Sequence, residues 1–443
     1  MFLSGSGCVE GERTTFAPEI MATHLPTASI ITIGDELLIG QTIDTNSAFI
    51  AQELNRIGIW VRRRVAVGDQ AEEIRNALDQ EAMKSDLILI TGGLGPTADD
   101  MTKPLLCDYF GGKLVRDESV LKHIEYLFQE VYRRPGALLE RNKRQADVPD
   151  VCEVLPNAIG TAPGMLFRKE GKIFISLPGV PAEMKKLVAE QVLPLLSKEW
   201  ITASIQHKTL ITAGAGESVL AEALAQFEQK LPPSIKLAYL PKYGMVKLRL
   251  TYVGESDLVG LDLLNRLFPE LEALVQEWLI ASEDVGLEIL IGEWMKKNNK
   301  TLGTAESCTG GSIAQVLTSI PGSSQYFIGS VVSYANRIKV DLLNVQQETL
   351  LTVGAVSEQA VKEMIQGGLQ ILGTDFMVSV SGILGPGGAT PEKPVGTVWI
   401  AAGTKKKTIT RKLNLQFDRT RNTVITTHQS LLLLWELLRT NEG

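Results

Sequence analysis

A chain of 443 residues exceeds what one hydrophobic core normally supports, so two to four domains are expected. An apolar fraction of 44% with 21% charged residues excludes a disordered or fibrous chain. The net charge of −7 argues against a mainly electrostatic nucleic-acid binder, while leaving room for a local basic patch.

The four cysteines (Cys8, Cys107, Cys152 and Cys308) form no CxxC pair and no metal spacing, which favours a reduced, cytoplasmic location. No apolar run approaches about 18 residues, so no membrane span is expected. Residues 1–27 lack the basic end and apolar core of a secretion signal and are expected to form a poorly ordered extension. Met21 is a candidate natural start, because strand pattern begins only at Ala28.

From 28 to 204 strands and helices alternate. "ASIITI" reads as a buried strand, "NSAFIAQELNRIG" as an amphipathic helix with a glycine stop, and "IWVRRRVAV" as the next strand. "DLILITGG" runs into a glycine-rich turn, and "KIFISLPG" leads to the helix "PAEMKKLVAEQVL". Such alternation predicts a mostly parallel sheet with helices on both faces and a site beyond the carboxyl ends of its strands. Three loops can converge there: "IGDELLIGQTIDTNS", "TGGLGPTADDMT" and "SLPGVPAEM". Gly92, Gly93 and Gly95 would let phosphate or ribose approach the backbone. Asp99 and Asp100, with Asp35 and Glu183, are candidate ligands for a divalent cation, and Asn46 is a candidate substrate contact. A lone aspartate pair would more simply cap the helix that follows it.

From 205 to 283 the pattern changes to a small α+β unit. "SVLAEALAQFEQKL" reads as a helix, and "SIKLAYLP" and "MVKLRLTYV" as an antiparallel pair. No GxxG backbone clamp is evident in it, so nucleic acid is not an expected partner.

From 284 to 443 a second αβ domain follows. "TLGTAESCTGGSIAQVL" puts Ser307 and Cys308 at a strand-to-helix turn, where helix N-terminal N–H groups suit an anion. Gly310 and Gly311 would admit a substrate close to the backbone, although an ordinary tight turn has the same look. His428 is the domain's only histidine and sits inside the last expected helix, which disfavours a Ser-His-Asp arrangement. A lysine kept neutral by burial is the alternative base. Tyr334 and Lys339 in "GSVVSYANRIKVDLL" could reach a pocket at a strand's carboxyl end. The loop "SGILGPGGATPEKPVGTVWI", with Gly385, Gly387 and Gly388, suggests backbone wrapped round a ligand. Arg419 and Arg421 open the last helix, where cations oppose the helix dipole, so a phosphate is a plausible partner.

The motifs "TAESCTGG", "SYANRIK", "GAVS", "SGILGPGG" and "EKPVGTVW", in this order, resemble the C-terminal domain of the CinA family, named for competence and damage inducibility. The resemblance implies hydrolysis of nicotinamide mononucleotide to nicotinic acid mononucleotide and ammonia, with no cofactor for the amidase site. It places the nucleophile on Ser307, the tyrosine on Tyr334, the lysine on Lys339 and a phosphate-binding arginine on Arg419. Phe417 stands where the family has a glycine. The implied mechanism is attack by Ser307, with Lys339 and Tyr334 handling the proton and N–H groups around Thr309–Gly311 holding the oxyanion. The N-terminal loops, with "NAIGTAPGM", resemble the family's molybdopterin-binding-like domain, and the middle segment its KH-like insert. The N-terminal resemblance implies a divalent-cation-dependent ADP-ribose pyrophosphatase, and a homodimer is expected. Two other readings are a competence accessory that acts by binding, and a molybdopterin-binding enzyme. The second is disfavoured because its relatives carry "GGTG" with an Arg-Asp pair, whereas this chain has "GGLGPTADD".

Overall fold

Continuous apolar runs become the central strands of two separate sheets. The structure, a computed structural model, describes residues 26–440 apart from 96–99, 134–137, 201–203, 243 and 255. The expected extension thus lies, through residue 25, outside the described residues, as does Asp99. Spatial contacts divide the chain into two compact units. One holds the residues up to Gln206 with Val253–Gly260, and the other holds His207–Tyr252 with the residues from Leu261 onward.

In the first unit β1 (Thr27–Ile33), β2 (Trp60–Val67) and β3 (Leu87–Thr91) precede a small antiparallel pair, β4 (Leu114–Arg116) and β5 (Asp147–Pro149). Then come β6 (Glu153–Leu155), β7 (Gly164–Lys169) and β8 (Lys172–Leu177), and the main sheet runs β2-β1-β3-β8-β7-β6. β2, β1, β3 and β8 are parallel, β7 is antiparallel to β8, and the edge strand β6 is antiparallel to β7. Ile30, Ile31, Leu87, Leu89 and Ile90 are fully buried between helices on the two faces. Each such side chain contributes about 1.5–3 kcal/mol of burial, which is why these strands read as unbroken apolar runs.

Most of β9 (Ser204–Ala213) and β11 (Met245–Gly254), with β10 (Ile235–Lys242) and β12 (Leu279–Ala281), lies in the second unit, in the order β10-β11-β9-β12. This sheet packs its own core around Leu220, Leu224, Phe227 and Leu264. The larger sheet of the unit comprises β13 (Leu302–Glu306), β14 (Phe327–Val332), β15 (Phe376–Gly382), β16 (Thr397–Gly403) and β17 (Thr408–Asn414). Its order is β14-β13-β15-β16-β17, with the first three strands parallel and the last two antiparallel. The carboxyl ends of β14, β13 and β15 therefore sit side by side, and Glu306, Val332 and Val380 occupy one row of the ladder. The helix Arg419–Arg439 covers one face through Leu431, Leu434 and Leu437, and Glu358–Leu372 covers the other through Val361, Met364 and Ile365.

Candidate functional sites

β13 ends at Glu306, and the chain turns at once into the short helix Ser312–Thr318. The turn needs positive φ at Gly310 (64°) and Gly311 (102°), a region side-chain-bearing residues rarely adopt. The Glu306 side chain, fully buried, fills the space beneath it. Oε2 accepts from Thr309 Oγ1 (2.7 Å), Gly311 N (3.0 Å) and Ile313 N (3.1 Å), while Oε1 accepts from Ala314 N (2.8 Å) and Thr304 Oγ1 (3.3 Å). A carboxylate from the preceding strand thus caps the helix from inside the protein. Gly310 N donates to Ser307 O at 3.1 Å. The expected oxyanion role for Gly310 and Gly311 is therefore corrected, because both N–H groups are already bonded within the chain.

Ser307 is nearly buried, and its N–H is held by Val380 O across the ladder at 3.0 Å. Lys339 lies one turn into the helix Asn336–Leu343, only 1% exposed. Its Nζ donates to Ser307 Oγ at 3.0 Å and to Ser333 O at 2.7 Å, both uncharged oxygens. Burial holds the amine below the usual lysine range. Cys308 points into the apolar core with Ile313 and Leu317, and burial pushes its thiol up to about 12, so it stays protonated. Of the two adjacent candidate nucleophiles, only Ser307 faces a base.

Tyr334 is 64% exposed, and its hydroxyl accepts from Arg419 Nη2 at 3.2 Å. Arg419 Nη1 donates to Gly385 O at 2.8 Å. The structure thereby joins "SYANRIK", the Gly/Pro loop and the last helix at the rim of the serine site. The Tyr334 hydroxyl is hydrogen-bonded to Arg419, whereas Ser307 Oγ is hydrogen-bonded to Lys339. Asn422 Nδ2 donates to Leu384 O (3.1 Å) and Phe417 O (2.7 Å), fixing the helix start against the same loop. Arg421 lies 4.1 Å from the Phe417 ring centroid, a cation–π pair that turns it aside from Arg419's partners. Gly387 and Gly388 are exposed in the loop.

In the first unit a cavity of about 280 Å³ opens at the carboxyl ends of β1 and β3. Gly92, Gly93, Asn46, Asp69 and Asp100 line it, together with Asp44. A side chain at Gly92, whose φ is 113°, would collide with Ile33 O, so the strand end comes close to its neighbour only as glycine. Asp100 Oδ1 accepts from Gly95 N at 2.8 Å and closes that turn. Asn46 Nδ2 ties Gly179 O (2.7 Å) to Thr91 Oγ1 (3.3 Å), whereas its Oδ1 is buried with no hydrogen-bond partner.

The described members of the expected metal group, Asp35, Asp100 and Glu183, do not gather at one point. Asp35 and Asp69 exchange bonds with each other's backbone N–H (3.0 and 3.2 Å), and Glu183 turns to Asn157 Nδ2 (2.8 Å). Neither Asp35 nor Glu183 lines the cavity. Burial raises the Glu183 carboxyl above its ordinary range. Asp44 caps the helix Thr45–Arg56 through Ser47 N. Among the described residues no group of three or more His, Cys, Asp or Glu side chains could hold a metal ion.

Sequence reasoning missed Glu306 and Ser333. An acid at the last residue of a buried strand, directly before a Gly-Gly turn into a helix, was the signal for the first. The second acts through its main chain and leaves no signal.

Three family profiles match the chain in order: the probable molybdopterin binding domain over 29–198, the damage-inducible protein CinA KH domain over 207–280 and the CinA C-terminal domain over 285–438. A CinA-like protein of Cytophaga hutchinsonii is 46% identical, covering 91% of this chain and 95% of its own length. A CinA-like protein of Flavobacterium psychrophilum is 44% identical, covering 90% and 94%. A putative competence-damage inducible protein of Caldicellulosiruptor saccharolyticus is 38% identical over 89% and 95%. Among solved structures, the competence/damage inducible protein CihA of Agrobacterium tumefaciens is 38% identical, covering 34% of this chain and 93% of its own, with a TM-score of 0.34.

Proposed function

Because the chain belongs to the CinA family, we propose that its C-terminal site is a serine–lysine amidase acting on the carboxamide of nicotinamide mononucleotide. The observation that carries this reading is the 3.0 Å contact between Lys339 Nζ and Ser307 Oγ in a buried setting that disfavours the ammonium form. With the amine neutral, that contact passes the hydroxyl proton to Lys339 as Oγ bonds to the carboxamide carbon. The new ammonium offsets the charge on the carbonyl oxygen. It returns the proton to the nitrogen as the C–N bond breaks, and ammonia leaves. Water then attacks the ester, passes its proton through Lys339, and frees nicotinic acid mononucleotide and Ser307. Arg419, aligned by Gly385 O and Tyr334 OH, is suited to the substrate's phosphate. The test is ammonia release from nicotinamide mononucleotide by purified protein, against Ser307→Ala. Wild-type turnover in that variant would overturn the assignment.

A second reading concerns the N-terminal cavity, which we propose hydrolyses ADP-ribose to AMP and ribose 5-phosphate. It is favoured by the unpartnered Asn46 Oδ1 beside the glycine turn and the Asp69 and Asp100 carboxyls. The described carboxylates form no closed cage, so a divalent cation there would rest on Asp69 and Asp100 with phosphate oxygens of the substrate, as Mg²⁺ commonly does. Bound in that way it would offset diphosphate charge. The protein's own share is to bind: Gly92 and Gly93 leave room for the substrate, and Asn46 fixes Thr91 against Gly179. AMP formation from ADP-ribose, with and without Mg²⁺, tests the proposal.

A further inference from the structure

We propose that Glu306 is a positioning residue that sets the separation of Ser307 Oγ and Lys339 Nζ, holding the serine turn with its carboxylate and the lysine arm with its main-chain carbonyl. Ser307 follows β13 and Lys339 lies in the helix after β14, 32 positions away, yet both are anchored at Glu306. On the serine side, the carboxylate takes Thr309 Oγ1, Gly311 N, Ile313 N and Ala314 N, so the chain from 309 to 314 is folded round one side chain. On the lysine side, Glu306 O accepts from Ser333 N at 2.7 Å and from Ser333 Oγ at 3.3 Å. Ser333 O then accepts from Lys339 Nζ. The chain of contacts therefore runs from the carboxylate through Glu306's own backbone to Ser333 and the amine.

The chemistry of the residue fits this task. Both carboxylate oxygens receive only N–H and O–H donors, the pattern an ionised carboxylate completes and a neutral amide cannot. Glutamine at this position would aim an NH₂ group at N–H donors on one side. Aspartate is one methylene too short to reach Ala314 and Ile313 while remaining in the strand. Ser307 sits next in the chain, so a shift of the turn moves Oγ off the amine directly. Displacements of about 1 Å are enough to cost a site of this kind much of its rate. Tyr334 and Arg419 lie at the rim and share no hydrogen bond with the carboxylate, so substrate affinity should be little affected.

This inference rests on the amidase reading for its substrate, and its test includes a probe independent of that substrate. Full-length Glu306→Gln and Thr309→Val would be compared with wild type in ammonia release and in the rate at which phenylmethylsulfonyl fluoride labels Ser307, read by intact-protein mass. Near-ultraviolet circular dichroism and Tm would report the folded fraction. For Glu306→Gln the expected result is a kcat and a labelling rate both lowered at least about tenfold, with KM unchanged and the protein folded. Thr309→Val, which removes one donor, should show a smaller loss of the same kind. A folded Glu306→Gln with wild-type labelling and kcat would overturn the proposal, as would losses that merely follow the folded fraction. If wild type labels at Ser307 but releases no ammonia, the amidase reading fails, and the labelling comparison still decides the role of Glu306.

Discussion

Lys339 Nζ and Ser307 Oγ stand 3.0 Å apart, and the amine's other acceptor is the carbonyl of Ser333. An ammonium buried with two uncharged acceptors is poorly compensated. The arrangement therefore favours a neutral amine. Lys339→Met and Lys339→Arg should both lower kcat for ammonia release by about 10²–10⁴-fold, the usual scale for removing a general base. The arginine variant is the sharper test, since a guanidinium keeps reach and hydrogen-bond donors but cannot accept the proton. Wild-type kcat in Lys339→Arg would remove the lysine from the mechanism.

The same burial fixes the sign of the pH dependence. Lys339's amine is held below its ordinary value of 10.5 in the folded protein, so kcat should rise with pH through that lowered value. Stability follows the same direction. Between the lowered and the ordinary value the unfolded chain carries the extra proton, so the stability contribution of this group grows as pH increases across that window. Below it, the penalty of charging a buried amine is constant. A kcat–pH profile should show the ascending limb, and urea midpoints of wild type against Lys339→Met should diverge across the window. A profile flat through the neutral and alkaline range would contradict a neutral-lysine base.

Cys308 offers a negative control one residue from the nucleophile. Its thiol is protonated and packed in the core with Ile313 and Leu317. Cys308→Ala should keep kcat close to wild type and lower stability by about 1–2 kcal/mol, the scale of a small buried truncation. Activity and denaturant midpoint measured together check this. Loss of activity in a stable Cys308→Ala would transfer the nucleophile's role to the thiol.

How much of this was legible follows from where the information sits in the chain. Strands such as Leu87–Thr91 and Lys172–Leu177 announce themselves because they are largely buried and nearly unbroken in apolar residues. Ser307 and Lys339 could be picked out by motif, and their contact could be expected because both lie at carboxyl ends of parallel strands. The donors round the turn could not be assigned from the sequence. Gly310 and Gly311 have the composition of an oxyanion cradle, yet Ser307 O and Glu306 already occupy their N–H groups. Which acceptor fills a backbone donor is decided by three-dimensional packing, and a helix N-terminus looks alike in sequence whether it is capped from within or open. Two carboxylates of the N-terminal loops, Asp35 and Glu183, could not be placed from the sequence for the same reason. Asp35 and Glu183 have the right charge, but their local hydrogen bonds turn them elsewhere.

Arg419 and Tyr334 should separate binding from chemistry. Arg419 is held at both ends of its guanidinium, by Gly385 O and Tyr334 OH. Arg419→Ala would remove a charge-assisted contact to the substrate phosphate worth about 1.5–3 kcal/mol, so KM should rise about ten- to hundredfold with a smaller change in kcat. Tyr334→Phe, which loses only one acceptor, should raise KM less. Nicotinamide riboside, which lacks the phosphate, should not distinguish Arg419→Ala from wild type. A drop in kcat without a change in KM would place Arg419 in the chemical step.

The two candidate sites are built in separate compact units, one from residues before Gln206 and the other from residues after Leu261. Each has its own core, so a substitution that exchanges polar atoms in one leaves the packing of the other intact. Asp100→Asn and Asn46→Ala should lower AMP formation from ADP-ribose while ammonia release from nicotinamide mononucleotide stays at the wild-type rate. Ser307→Ala should do the reverse. Asn46→Ala is the more telling of the first pair, because it removes both the link between Gly179 and Thr91 and a buried oxygen with no partner. Substitutions that share no partner generally combine additively, so the double variant Asn46→Ala/Ser307→Ala should show each loss at its single-variant size. A double variant that loses either activity beyond its single-variant value would show that the sites are coupled. Full AMP formation in both Asp100→Asn and Asn46→Ala would remove the cavity from the ADP-ribose reaction altogether.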